Sequence, residues 1–203
     1  MNLFSKGAAA LAVASFAGLA AAGTAVYTDS ASFIAALAPG YFSNPFNDTV
    51  NGPSPNLSYS QNGYSYTVGT QPGAVSGLYN APGLISTDNS GDSIFVEFTS
   101  GNVTAVGGNF WATDVSVLPT GTDVTVTLSD GTSVTYTSSG PSDFRGFISD
   151  VAITSLTIDA PSPLPNDGLW ATLDNLIVGQ AIPTPGTAAL LGLAGLAGAR
   201  RRR

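Results

Sequence analysis

An alternation of apolar and polar residues at a period of two, interrupted by glycine-containing turns, constrains the fold of this 203-residue chain most strongly. Residues 123–128 and 133–137 both alternate in this way, and Ser129-Asp130-Gly131-Thr132 separates them. Because successive side chains of a strand point to opposite faces, the pattern predicts two half-buried strands. The Asp-Gly step supplies the positive φ values that a tight turn needs, so we expect the two strands to pair as an antiparallel hairpin.

The rest of the central region repeats this pattern. Further strands are predicted at residues 64–68, 93–99, 103–111, 144–148, 153–158 and 170–178. One short helix is predicted at residues 30–37, capped by Asp29 or Ser30 and ended by Pro39-Gly40. Residues 40–62, rich in Asn, Pro, Gly and Ser, are predicted to form an extended surface loop. A single open sheet would expose an apolar face to water, so we expect an all-β domain with two antiparallel sheets packed as a β-sandwich or jelly roll.

The two ends of the chain have a different character. Residues 1–6 include the positive Lys6, residues 7–20 are apolar, and Ala20-Ala21-Ala22 or Gly23-Thr24-Ala25 offers small residues for cleavage, which is the layout of a secretory signal peptide. An uncleaved N-terminal anchor or a buried helix is the alternative. At the other end, residues 187–199 contain only Ala, Leu and Gly after the threonine, which predicts a short transmembrane helix. Four arginines follow it, namely Arg200, Arg201, Arg202 and Arg203. Their charge favours a cytoplasmic end for the chain. We therefore expect a signal peptide at 1–22, an exported β-sandwich ectodomain at 23–181 and a membrane-targeting tail at 182–203.

This tail resembles a PEP-CTERM protein-sorting signal, which combines a Pro-Glu-Pro-like motif, a short transmembrane helix and a terminal basic cluster. The motif here is Pro183-Thr184-Pro185-Gly186, so Thr184 stands where that family has glutamate. The resemblance implies sorting by a processing protease of the exosortase type. It also implies a location at the cell membrane or envelope, or in the extracellular matrix, of a bacterium. A simple single-pass tail anchor without processing is the alternative.

A second resemblance covers residues 93–179, whose spacing and turn chemistry are similar to the jelly-roll ectodomain common in PEP-CTERM proteins. The segments that carry it are 103–110, 124–131, 144–150, 153–159 and 173–179. It implies a fold but no catalytic residues.

Charge and composition exclude several classes of function. All thirteen acidic residues lie between Asp29 and Asp174, and Arg145 is the one basic residue in that range, which gives this region a net charge of −12. Such a surface repels phosphates, so we expect no nucleic-acid partner. The chain has no Cys and no His, so disulfides, thiol chemistry and a Ser-His-Asp triad are excluded. We expect a protein that is not an enzyme.

Two groups of residues are candidate ligand sites. Asp88 and Asp92 flank an Asn-Ser-Gly step, and together with Asp174 they supply the oxygen ligands that a structural calcium ion accepts. The alternative is a solvated turn, with no cofactor. Trp111 and Trp170 could stack on sugar rings, together with the tyrosines at 59, 64, 66 and 79, or could fill the core.

Two functions remain open on this basis. The first is an exported, membrane-targeted, non-enzymatic protein of the cell surface or of an exopolysaccharide matrix. The second is a carbohydrate-binding module, with polysaccharide as its partner and calcium as a possible stabilising ion.

Overall fold

A computed structural model describes residues 23–160 and 168–183. The predicted signal helix and the predicted transmembrane helix lie outside these residues. The described residues form one helix, α1 (Ser30–Ala35), and fifteen strands. The strands are β1 (Thr24–Tyr27), β2 (Phe42–Asn44), β3 (Gly52–Ser54), β4 (Leu57–Gln61), β5 (Tyr64–Thr70), β6 (Leu78–Ala81), β7 (Leu84–Thr87), β8 (Ile94–Phe98), β9 (Ala105–Thr113), β10 (Pro119–Thr120), β11 (Asp123–Leu128), β12 (Ser133–Thr137), β13 (Phe144–Ser149), β14 (Ser155–Asp159) and β15 (Trp170–Gly179). No helix within the described part of the chain is long and apolar enough to cross a membrane.

The strands form two antiparallel sheets, which confirms the all-β, two-sheet expectation. The larger sheet has nine strands, in the order β1-β13-β9-β15-β7-β6-β3, with β10 added beside β9 and β2 added beside β15. The smaller sheet has six strands, in the order β12-β11-β14-β8-β5-β4. Both sheets contribute to one main hydrophobic core.

The core follows from the period-two pattern of the strands. In the smaller sheet, Val124 and Val126 of β11 are fully buried, whereas Thr125 and Thr127 between them are only partly buried. Phe110 of the larger sheet is fully buried in the same cluster. Burial of such side chains contributes roughly 25 cal/mol for each Å² removed from water, and in a chain without disulfides this is the main source of stability.

The predicted hairpin is confirmed, with a different turn. Strands β11 and β12 pair antiparallel over the predicted residues. Leu128 donates to the carbonyl of Thr132 at 2.8 Å, and Gly131 donates to the carbonyl of Leu128 at 3.0 Å. Only Gly131 has a positive φ, of 87°, so the loop contains three residues with one left-handed glycine rather than two left-handed residues.

Helix α1 packs on a patch of the larger sheet where glycine residues leave room for it. Phe33 is fully buried against the outer face of this sheet. Gly146 and Gly107 are cross-strand partners beneath it. A Cβ atom on Gly146 would lie 2.5 Å from Phe33 Cδ2, and one on Gly107 would lie 2.9 Å from Phe33 Cε1. The predicted cap is confirmed, because the Asp29 carboxylate accepts a hydrogen bond from the Ser32 amide at 2.8 Å.

The predicted surface loop at residues 40–62 is wrong. Strands β2, β3 and β4 all lie in this segment, and Phe42 and Phe46 within it are buried. These strands have only three to five residues, and β3 contains Pro53 at a sheet edge, where a missing N–H is tolerated. Strands β2 and β3 pair with distant strands, so local composition gave no sign of them. Strand β4 instead forms a tight hairpin with β5 through Asn62 and Gly63, which both have positive φ, so a local Asn-Gly turn signal was overlooked.

Strand β15 carries a bulge that reverses which side chains face the core. Its register with β9 shifts between Asp174 and Ile177, and Asn175 has a φ of 51°. Before the bulge Leu173 faces the main core, and after it Leu176 does so. One extra residue therefore switches the inward positions from odd to even numbers, and it turns Ile177 outward against α1.

The larger sheet has two distinct ends. At the terminal end, Ala25, Ile148, Ala105 and Gly179 are successive cross-strand neighbours, so the first described strand begins and the last one ends at the same end of the sheet, with β13 and β9 between them. At the distal end, β15 begins at Trp170, which pairs with Thr113. Nine residues of strand separate Trp170 from Gly179, a distance of about 30 Å.

Candidate ligand-binding cleft

A cleft opens at the distal end of the larger sheet, on the face that points away from the smaller sheet. Its volume is about 210 Å³. Its lining consists of Tyr79, Ser86, Thr87, Asp88, Thr113, Asp114, Val115, Val117 and Trp170. Strands β6, β7, β9 and β15, together with the loops after β7 and β9, supply these residues.

The floor of the cleft is a chain of buried hydroxyl groups that crosses three strands. Thr172 Oγ1 lies 3.1 Å from Ser86 Oγ and 3.1 Å from Thr113 Oγ1. Ser86 Oγ donates to the carbonyl of Ala171 at 3.1 Å. The three hydroxyl-bearing residues are at most 3 % exposed. Because each hydroxyl carries one proton, the proton of Ser86 is directed into the protein and its lone pairs remain as acceptors.

Thr87, which follows Ser86 in β7, carries a buried hydroxyl that has no partner in the described part of the chain. The residue is 1 % exposed, and its Oγ1 has no hydrogen-bond partner among the described residues. A buried polar atom without a partner costs roughly 1–3 kcal/mol, so such atoms are uncommon and call for a reason. Thr87 is the cross-strand partner of Leu78, which lies in the main core, so the Thr87 hydroxyl faces the core and not the cleft.

One wall of the cleft is a strained loop that Asp114 holds in place. Asp114 Oδ1 accepts hydrogen bonds from the amides of Ser116 at 2.8 Å and Leu118 at 3.0 Å. Val117 within this loop has a φ of 64°, which is unusual for a β-branched residue. The side chains of Val115 and Leu118 are 79 % and 60 % exposed. The loop therefore presents an apolar rim from a fixed backbone.

The structure separates the two tryptophans that were candidates for ligand binding. Trp111 is only 2 % exposed, so it has no free face for a sugar ring, and the ligand-binding hypothesis is wrong for Trp111. Trp170 is partly exposed and lines the cleft, and so does Tyr79. Sequence alone could not separate the two indoles, because both lie on strands of the same sheet. Only the folded structure shows which of the two rings is covered by other residues.

The remaining candidate tyrosines do not join this cleft. Tyr64 and Tyr66 are buried in the main core, and Tyr59 packs against it. Burial raises the pKa of Tyr59 to about 12, with a further rise from the charge of Asp48. These residues therefore have a structural role in the smaller sheet.

The three carboxylates of the calcium hypothesis do not come together. Asp92 is 5 % exposed, and its carboxylate accepts hydrogen bonds at 3.1 Å from the amides of Val75 and Ser76. Asp88 is exposed and lines the cleft. Extension of the strand register places Asp88 beside Trp170, so Asp174 lies four residues, or about 13 Å, further along the sheet. In residues 23–160 and 168–183 no three side chains of His, Cys, Asp or Glu are grouped as a metal site requires.

Asp174 has a different environment at the bulge. Burial raises the pKa of its carboxyl above the ordinary value, and a hydrogen bond from the Asn175 amide lowers it only in part. The charged form is therefore disfavoured in the folded protein.

Of the predicted sorting motif, only Pro183 belongs to the described residues, and it is exposed. Thr184, Pro185, Gly186 and the four arginines Arg200–Arg203 lie outside them. The backbone just before the motif is fixed: Ala38 donates to the carbonyl of Gln180 at 2.8 Å, and Ile182 donates to that of Ala36 at 2.9 Å.

A second depression lies elsewhere, between the edge strands β3 and β4, with a volume of about 410 Å³. Asp48, Val50, Tyr59 and Asn80 contribute to its lining. It is a wide depression with an exposed Asp48, whereas the distal cleft combines a partly exposed indole with a buried polar floor. The distal cleft is therefore the stronger candidate site.

Sequence reasoning missed Thr113 and Asp114, which join the floor of the cleft to its wall. The signal was present, because an Asp that directly follows a strand often accepts hydrogen bonds from the next turn.

Comparison with known proteins identifies no relative: no family model matches the chain, and no curated protein or solved structure is significantly similar to it.

Proposed function

We propose that this chain is an exported, non-enzymatic surface protein that a C-terminal PEP-CTERM-like segment sorts to the membrane. The signal peptide at 1–22 directs export, residues 23–181 form the ectodomain, and the tail at 182–203 inserts its short helix with the arginines on the cytoplasmic side. An exosortase-type protease is the processing partner. The ectodomain is a jelly-roll variant of the β-sandwich, displayed at the envelope or in an exopolysaccharide matrix.

The observation that carries this proposal is the position of the chain ends. Both the first and the last described strand reach the terminal end of the larger sheet, while the cleft lies about 30 Å away at the distal end. A body held by its C-terminal tail would therefore present the cleft away from the membrane.

The charge of the body agrees with display outside the cell. Arg145 is the single cationic side chain among the described residues, and its guanidinium stacks on the Tyr136 ring at 3.6 Å. The surface is strongly acidic, which favours solubility. With one Lys and five Arg in the whole chain, trypsin-like proteases have few cleavage sites.

Fractionation of cells that express the full chain tests this proposal. We expect the wild-type protein in the envelope fraction, with its body accessible to a non-specific protease on intact cells. Replacement of Arg200–Arg203 by glutamate should mislocalise the protein, whereas replacement by lysine should not, because the lysine variant keeps the charge. An intact precursor that remains in the cytosol would overturn the proposal.

Carbohydrate binding is the second candidate function, and one observation favours it. Trp170 and Tyr79 line the same cleft as Asp88 and Asp114, so aromatic faces and carboxylate acceptors converge there. Aromatic rings pack against the C–H faces of sugars while polar groups take the hydroxyls. Binding of the exported protein to a glycan array should be lost with Trp170→Ala, and a signal that survives this change would contradict the assignment.

A further inference from the structure

We propose that the distal cleft binds a single pyranose unit without negative charge, and that an amino-substituted pyranose binds most tightly. This inference rests on the second proposed function, carbohydrate binding, and specifies the ligand of that site.

The size of the cleft limits the ligand to one ring. Pockets that enclose drug-sized ligands have volumes of roughly 300–1,000 Å³, whereas this cleft has about 210 Å³. The loop 114–118 and Trp170 border the cleft, so a longer glycan can place only one unit inside. We infer recognition of a terminal unit rather than of an internal stretch.

The floor selects a ligand that donates hydrogen bonds. Ser86 gives its proton to the carbonyl of Ala171, and Thr172 and Thr113 share the remaining hydrogen bonds of the chain. When Thr113 donates its proton to Thr172, the lone pairs of the Thr113 oxygen remain free to accept a hydrogen bond from a ligand. A ring with several hydroxyl groups supplies the donors that this arrangement lacks.

The walls select a ligand with an apolar face. Trp170 and Tyr79 provide aromatic rings, and Val115 and Val117 provide aliphatic contacts. A pyranose has a C–H face that packs on an indole, and its edge carries the hydroxyl groups. The cleft thus matches the two-sided character of a sugar ring.

The charges of the cleft exclude an anion and favour a cation. Asp88 and Asp114 line it, and none of the lining residues that the structure describes is basic. Asp114 uses Oδ1 to hold its own loop, and no hydrogen bond to Oδ2 exists among the described residues. An ammonium group on the sugar would add an attraction to these carboxylates, whereas a uronic acid would be repelled.

Titration of the exported protein, solubilised in a detergent without a sugar headgroup, tests the inference through tryptophan fluorescence. The probes are methyl glycosides of glucose, glucosamine and glucuronic acid. We expect glucosamine to bind about three- to ten-fold more tightly than glucose, with the difference reduced by salt, and glucuronic acid not to bind. Asp88→Asn combined with Asp114→Asn should abolish the preference for glucosamine, while Asp48→Asn in the second depression should leave it unchanged.

Aromatic variants locate the site. Trp170→Ala should weaken binding about ten-fold or more. Since this variant could fail to fold, Tyr79→Leu at the opposite wall serves as a second variant, and a thermal melt checks each protein. Calorimetry replaces fluorescence where the indole itself is changed.

The outcomes separate the inference from the proposed function on which it rests. Equal binding of glucuronic acid, or binding of long oligosaccharides without any binding of the single unit, would overturn the inference and leave carbohydrate binding in place. Saccharide binding that is unaffected by both aromatic variants would overturn the cleft as the site. An absence of binding to every saccharide would overturn both.

Discussion

At the scale of single residues, two carboxylates of this body have opposite effects on stability. Burial alone would raise the pKa of Asp130, but hydrogen bonds from Thr24 at 2.7 Å and from the Thr132 amide at 2.8 Å outweigh it and hold the pKa below its ordinary value. Burial raises the pKa of Asp174. A lowered pKa means that the folded state favours the charged form, and a raised pKa means the reverse.

These directions predict opposite responses to neutralisation. Asp130→Asn should lower the free energy of unfolding at pH 7 by about 1 kcal/mol or less, because the carboxylate is exposed. Its stabilisation is present above the unfolded pKa of about 3.9 and is lost as the pH falls through the lower folded value. Asp174→Asn should instead stabilise the protein at pH 7, and this gain should disappear below about pH 3.9. Urea unfolding of the purified protein at several pH values measures both, and effects of the same sign would contradict the prediction.

A third carboxylate, Asp92, acts as a clamp for a loop. It is buried and accepts hydrogen bonds from the amides of Val75 and Ser76. We expect Asp92→Asn to lower the free energy of unfolding by roughly 1–3 kcal/mol, since a neutral amide accepts more weakly and its NH2 group faces amide donors. The exposed Asp48→Asn is the matched control, with little effect.

The same pair of variants tests the calcium hypothesis. Because the backbone amides already satisfy Asp92, excess calcium should not raise the melting temperature of the wild-type protein. A rise in the wild type that Asp92→Asn abolishes would restore Asp92 as a calcium ligand.

At the scale of elements, the sequence predicted structure where a strand or turn is determined locally. The strands β11 and β12 have the predicted bounds, because their alternation and the glycine turn are local signals. Strands β2 and β3 were missed because distant partners stabilise them, whereas β4 was missed although its Asn62-Gly63 turn to β5 is a local hairpin signal. The bulge in β15 was also missed, since one extra residue leaves the apolar character of the strand unchanged.

The candidate site was predictable only in part for the same reason. Trp170 and Asp88 were named from their chemistry, and the structure brings both to one cleft. Trp111 was named on equal grounds and is buried. The distinction depends on which strands and loops cover each face, and period-two patterns do not contain that information.

The packing of helix α1 against the larger sheet gives a prediction at this scale. Gly146→Ala should cost roughly 1–3 kcal/mol, because its methyl group would lie 2.5 Å from the Phe33 ring in a packed core. Gly121→Ala is the matched control, since nothing lies within 4 Å of its Cβ and its φ is not positive. Thermal melts of the two variants measure the difference. Equal stability would mean that α1 can shift away from the sheet at little cost.

At the scale of the whole molecule, the predicted cleavage site lies directly before the first described strand. Cleavage after Ala22 would make Gly23 the first residue, directly before β1. The Gly23 nitrogen lies 3.3 Å from Asp150 Oδ2 at the terminal end. A new α-ammonium group would therefore form an ion pair with a carboxylate that already faces it.

This ion pair predicts a stability difference between the processed protein and its precursor. In the processed protein, Asp150→Asn should lower the free energy of unfolding by up to about 1 kcal/mol at pH 6. The loss should fade above about pH 8, where the α-amino group becomes neutral and no longer needs a charged partner. In a precursor that Ala22→Tyr keeps uncleaved, Gly23 retains a neutral amide, so Asp150→Asn should have a smaller effect without this pH dependence. The same pH-dependent loss in both forms would show that the chain does not use Gly23 as its mature N-terminus.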